Sequence, residues 1–189
     1  RRIFVYGINP KYRTFNLPGV EQNIEKLKFP DTVLFDELSR KDFGPIAVEY
    51  RQGNNVVTEV SGRKIQVGGL FALGTSFGAD GNMVTSDINF LRLFPSRDPG
   101  LIELGIIKLE PGADKDLILK TLQEKLVGGD VKVFDFESLI AHEKSYWQNR
   151  TAVGFVFSLG TVMGFIVGIV IVYQILYTDV ADHLPEYAT

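Results

Sequence analysis

Hydrophobic and polar positions along the chain predict short strands and helices first and one long apolar helix last. Ile3–Ile8 is apolar and β-prone and stops at Asn9-Pro10. Pro18-Gly19 opens a short helix with Val20, Ile24 and Leu27 on one face, and Pro30 closes it before a strand at Thr32–Phe35. Lys41–Pro45 reads as a linker. Beyond it, Ile46, Val48 and Tyr50 alternate, Gly53-Asn54-Asn55 turns, Val56–Val60 returns, and Ser61-Gly62-Arg63 turns again before Lys64–Val67, a β meander. A loop carrying Gly74, Gly78 and Gly81 follows, and Ser86 caps a helix through Leu93.

From residue 101 the strand–helix–strand pattern resumes. Leu101–Leu109 reads as a strand and Pro111-Gly112 as a turn. Asp114 caps a helix to Val127, with Ile118, Leu122 and Leu126 on its buried face, and Gly128-Gly129 ends it. Val131–Phe134 is another strand, and Asp135 caps a last helix, Phe136 to Arg150, that runs straight on into the apolar segment. Residues 1–45 and 101–135 share one style, and residues 46–100 read as a β-rich insertion. The pattern therefore predicts an α+β protein with one discontinuous α/β lobe and a second, inserted lobe.

The segment Ala152–Tyr177 has no charge, and none occurs between Arg150 and Asp179. Its 26 residues span about 39 Å as a helix at ~1.5 Å each, enough to cross a ~30 Å hydrocarbon core. Tyr146 and Trp147 precede it, and Tyr173 and Tyr177 close it, as membrane-interface anchors do. Gly160, Gly164 and Gly168 fall four apart, a doubled G-x-x-x-G that lets a second helix approach closely. The chain opens on Arg1 without Met and stops soon after the apolar run, so a piece of a larger membrane protein is expected.

Composition narrows the chemistry. With 20 Lys and Arg against 23 Asp and Glu, the net charge is −3, which argues against nucleic-acid binding. The absence of cysteine excludes disulfides, thiolate metal sites and cysteine nucleophiles in this chain. Gly74-Thr75-Ser76-Phe77-Gly78 fits G-x-S-x-G, but turn residues follow where a nucleophile elbow needs a helix. The better reading is a partner-contact loop built on Ser76, Phe77, Gly78 and Asp80. No P-loop occurs, and His142-Glu143 lacks the second His of a zincin, with Tyr146 in its place. No residue is expected to be catalytic or to bind a cofactor or metal.

Leu101–Asp114 (LIELGIIKLEPGAD) is similar to the strand–turn–helix entry of periplasmic domains in MacB/FtsX-like ABC permeases. Val67–Pro95 and the ending VYQILYTDVADHLPEYAT (Val172–Thr189) resemble more closely the DevC subgroup, cyanobacterial permeases associated with heterocyst glycolipid export. The resemblance implies a type VII ABC exporter permease, with four membrane helices and a large periplasmic domain between the first and second. Residues 1–45 and 101–135 would form its MacB-like porter lobe and residues 46–100 the second lobe. Residues 136–151 would be a juxtamembrane stalk, residues 152–177 the second membrane helix, and residues 178–189 the start of a cytoplasmic loop.

The resemblance further implies a permease homodimer in the bacterial inner membrane, its N-terminal domain periplasmic. A separate ABC ATPase would use ATP and Mg, with Glu186 and Tyr187 near the contact with it. A periplasmic adaptor and, indirectly, an outer-membrane channel would complete the export of a lipid or glycolipid substrate. The long helix from Phe136 to Tyr177 would transmit motion. Tyr187 and Ala188 depart from the Ile-Gly found in MacB-like permeases. Local charges also oppose this orientation, because Lys144 and Arg150 precede the span while Asp179, Asp182 and Glu186 follow it. Two other readings stand beside it: an extracytoplasmic sensor domain with a signalling helix, and an FtsX-like regulator of cell-wall hydrolases.

Overall fold

The computed structural model describes residues 1–76 and 78–187. The protein is α+β, and the chain divides into two units, Arg1–Ile107 and Lys108–Thr189.

In the first unit, β1 (Ile3–Ile8), β2 (Thr32–Asp36), β3 (Val57–Val60), β4 (Arg63–Phe71) and β5 (Gly81–Ser86) form one mixed sheet of order β1-β5-β2-β4-β3. β1 runs parallel to β5 and β2 parallel to β4, while β2–β5 and β3–β4 are antiparallel. All five residues of β2 are buried. Their alternation sends Val33 and Phe35 into one apolar cluster with Ile65, Val67 and Met83, and Leu34 into another with Val20, Leu27 and Val84. The helix α1 (Pro18–Asn23) and the 3-10 turn Ile24–Lys28 cover the second cluster through Val20 and Leu27. The first cluster is closed by Ile46 of α2 (Ile46–Arg51) and Leu93 of α3 (Asp87–Leu93). At the other end of β2, the Asp31 carboxylate pairs with Arg63 (2.6 Å) and Arg92 (2.9 Å), and the Asp31 N–H donates to Asn89.

The expected strand at Thr32–Phe35, the Ser61-Gly62 hairpin turn and the Ser86 cap on Asn89 N–H (3.2 Å) are all present. Four segments differ. Residues 46–51 form α2, not a strand, because Ile46 and Tyr50 share a helical face as well as a strand face. Packing selects the helix: Ile46 is buried and the Tyr50 hydroxyl donates to the Gly68 carbonyl at 2.6 Å. β5, buried throughout, begins at Gly81, where the sequence reads as loop. Leu101–Leu109 and Val131–Phe134 contain no strand, since neither pairs with a neighbour among the described residues and an extended segment has no ladder of its own.

Strands from either side of residue 45 interleave in this sheet. β2 is apolar on both faces and lies between β4 and β5, both of which come from residues 46–100. The sequence pattern places that stretch in a lobe of its own.

The second unit holds α4 (Lys115–Lys125), α5 (Phe136–Asn149) and α6 (Ala152–Tyr187). Asp114 caps α4 through the N–H groups of Asp116 and Leu117, both at 3.1 Å. Asp135 caps α5 through Ser138 N–H (2.9 Å) and pairs with Lys115 (2.9 Å), which ties the two helix starts together. These bonds, Ser138's first, hold the Asp135 carboxyl well below the usual carboxylate range.

Candidate functional site: the apolar helix, its junction and the loop after β4

Within α6, residues Gly154–Ala181 form a 28-residue apolar stretch, none of it buried inside the chain. At ~1.5 Å per residue it is about 42 Å long. Its two threonine hydroxyls bond within the helix: Thr161 donates to the Phe157 carbonyl and Thr178 to that of Gln174, each at 2.9 Å. That is the arrangement a water-free surrounding demands. Length and composition make α6 a candidate membrane span.

A Cβ placed on Gly160, Gly164 or Gly168 would meet nothing within 4 Å. Gly164 and Gly168 line a shallow apolar trough of about 650 Å³ together with Thr161 and Phe165. No packing among the described residues requires these glycines, so the groove they make is open to another helix. Tyr173 and Tyr177 stack at 6.1 Å towards the far end of the apolar run. The side chains of Glu186 and Tyr187 lie outside the described residues.

The junction between α5 and α6 corrects an expectation. The sequence pattern predicts one continuous helix from Phe136 to Tyr177, but α5 stops at Asn149 and α6 starts at Ala152. In a straight helix the residue six positions back lies ~9 Å away along the axis. Here a Cβ on Gly154 would collide with the Gln148 carbonyl, and the Trp147 carbonyl lies 2.7 Å from the same point. The chain therefore bends sharply, and only glycine fits at 154. Thr151 fixes the corner: its hydroxyl donates to the Trp147 carbonyl at 2.6 Å and accepts from Gly154 N–H at 3.4 Å. A bend of this kind is hard to read from sequence, because Arg150-Thr151 carries no Pro. The visible signal is Thr151 three residues before a glycine. Tyr146 and Trp147 sit in the last turn of α5, edge to face at 6.1 Å, both about half exposed.

The loop after β4 is fixed by a buried polar knot at the end of β2. The Asp36 carboxylate accepts from the N–H groups of Leu38 (3.0 Å), Leu73 (3.0 Å) and Gly74 (2.9 Å) and from Asn82 Nδ2 (2.8 Å). Asn82 Nδ2 also donates to the Gly74 carbonyl at 2.7 Å. Gly74 takes φ 96°, a left-handed value that suits glycine.

Beyond this anchor, Ser76 N–H donates to the Ala79 carbonyl, and Ser76 Oγ accepts from Gly78 N–H at 3.3 Å. Phe77 lies outside the described residues. Asp80 pairs with Arg40 at 3.1 Å and accepts from Arg2 N–H at 3.2 Å. Ser76, Gly78 and Asp80 thus share a groove of about 620 Å³ with Arg1, Arg2 and Arg40. Sequence reading missed the arginines because they come from distant segments that the sheet brings together. The loop leads into β5, so G-x-S-x-G has no helix after it. His142 instead stacks on Phe134 at 4.9 Å, in the second unit. Among the described residues, no group of three His, Asp or Glu is placed to hold a metal.

Comparison with protein-family models, with curated proteins and with solved structures finds no match.

Proposed function

We propose that this chain is the extracytoplasmic domain and a membrane helix of an ABC exporter permease of the MacB/FtsX-like kind. The observation that carries its membrane part is the 28-residue apolar stretch of α6, wholly unburied within the chain and edged by an open glycine trough. The permease part rests on the resemblance of residues 67–95 and 172–189 to DevC-type sequences. In this reading the first unit is periplasmic and α6 crosses the inner membrane. A partner ATPase hydrolyses ATP with Mg, and the glycine face packs on another permease helix or a second copy. A periplasmic adaptor takes the lipid or glycolipid onward to an outer-membrane channel.

The bend at Thr151–Gly154 changes how motion would pass. A single rod from Phe136 to Tyr177 is not present. The break between Asn149 and Ala152 therefore counts against a rigid helix that carries motion from α6 through α5.

A sensor is the second reading, favoured by the arginine-lined groove at Asp80. Purification of the full-length protein from its own membranes in detergent separates the two. An ABC ATPase and a periplasmic adaptor in the purified complex support the exporter. A kinase or methylation partner without any ATPase overturns it.

A further inference from the structure

We propose that α5 is not a stalk but an interfacial helix, lying along the membrane surface with its apolar face against lipid. The inference rests on the reading that α6 spans a bilayer. Two residues separate α5 from α6, so the last turn of α5 is held at the membrane boundary if α6 crosses it. The collision of a Gly154 Cβ with the Gln148 carbonyl shows that α5 leaves that boundary at an angle to α6.

The faces of α5 agree. At ~100° per residue, Phe136, Ile140 and Trp147 fall within a narrow arc, with Leu139 and Tyr146 on its flank. Phe136 is 78% exposed, Trp147 46% and Ile140 44%. Among the described residues of the second unit, none buries this face. The far side carries Ala141, Ser145 and Asn149, and towards it His142 is already stacked on Phe134. Glu143 lies within this arc and Lys144 and Glu137 border it, so the proposal seats the helix at headgroup depth and not in the hydrocarbon. Trp and Tyr beside a short apolar face are the residues that seat a helix at that depth. A lipid surface is therefore the occupant, continuous with the one around α6. Phe136 and Ile140 join Tyr146 and Trp147 as anchors.

The test places nitroxide labels, one at a time, at positions 136, 140, 141 and 145 of the full-length protein in phosphatidylethanolamine–phosphatidylglycerol vesicles. A label at position 165 in α6 serves as the depth reference. Collisions with dissolved oxygen and with a water-soluble nickel chelate are measured. The expected result is oxygen-rich, nickel-poor signals at 136 and 140, the reverse at 141 and 145, and a deeper reading at 165 than at any of the four. Equal nickel access at all four positions overturns the proposal while leaving the span intact. Shielding of 136 and 140 from both reagents also overturns it, because a protein partner then covers the face. A water-exposed 165 shows that the spanning reading itself has failed, and the proposal with it.

Discussion

Gly154 and Gln148 meet backbone to backbone at the corner between α5 and α6, where a Cβ on residue 154 would collide with the Gln148 carbonyl. The angle between the two helices therefore depends on a hydrogen atom at that position. Gly154→Leu is expected to force the corner open, lengthening the distance between spin labels at positions 144 and 162 in pulsed dipolar measurements. An unchanged distance would mean that the bend does not depend on Gly154.

Asn82 holds the Asp36 knot closed from the β5 side. Asn82→Ala removes one of the four donors to a fully buried carboxylate and leaves the Gly74 carbonyl without its partner. A loss of about 1–3 kcal/mol in urea unfolding is expected, the usual cost of a buried polar group left short of a bond. Faster amide exchange at Leu73 and Gly74 should accompany it. A neutral substitution would show that water takes over the bonds.

Much of the first unit was legible in the sequence because its strands and caps carry local signals: Pro18 at the start of α1, Ser61-Gly62 in the hairpin, and Ser86 before α3. β5 was not, since Gly81 and Asn82 lower its β-propensity and its place is set by pairing with β1 and β2. Residues 46–51 read equally as strand or helix, because six residues do not separate a period of 2 from one of 3.6. Of the candidate site, the apolar span and its glycine spacing were plain from residue order alone. The bend at Gly154 and the gathering of Arg1, Arg2 and Arg40 beside Asp80 were not, because both arise from backbone approach in three dimensions.

The Asp31 carboxyl is held below its ordinary 3.8, first by its hydrogen bond from Arg63 and then by the charges of Arg63 and Arg92. A carboxyl depressed in the folded state contributes stability above its unfolded pKa and loses it as pH falls through the folded one. Wild-type protein should therefore lose thermal stability below about pH 4, and Asp31→Asn should flatten part of that decline. An identical pH profile in the variant would remove Asp31 from the cause.

Gly164 faces an open trough, so Gly164→Leu should leave α6 helical and inserted while weakening its association with a neighbouring helix. Cross-linking in membranes between labels at Gly160 and its partner helix should fall. Undiminished cross-linking would place the packing face elsewhere on α6.

The most direct test of a membrane-spanning α6 places single cysteines in this cysteine-free stretch, with any cysteine elsewhere in the full-length protein replaced by serine. Single cysteines at Ser76 and at Asp179, introduced into the full-length protein, are exposed in spheroplasts to a membrane-impermeant maleimide. Labelling of position 76 from outside, with position 179 reacting only after permeabilisation, is the expected result. Reaction of both positions from the same side would contradict the spanning helix and the exporter built on it.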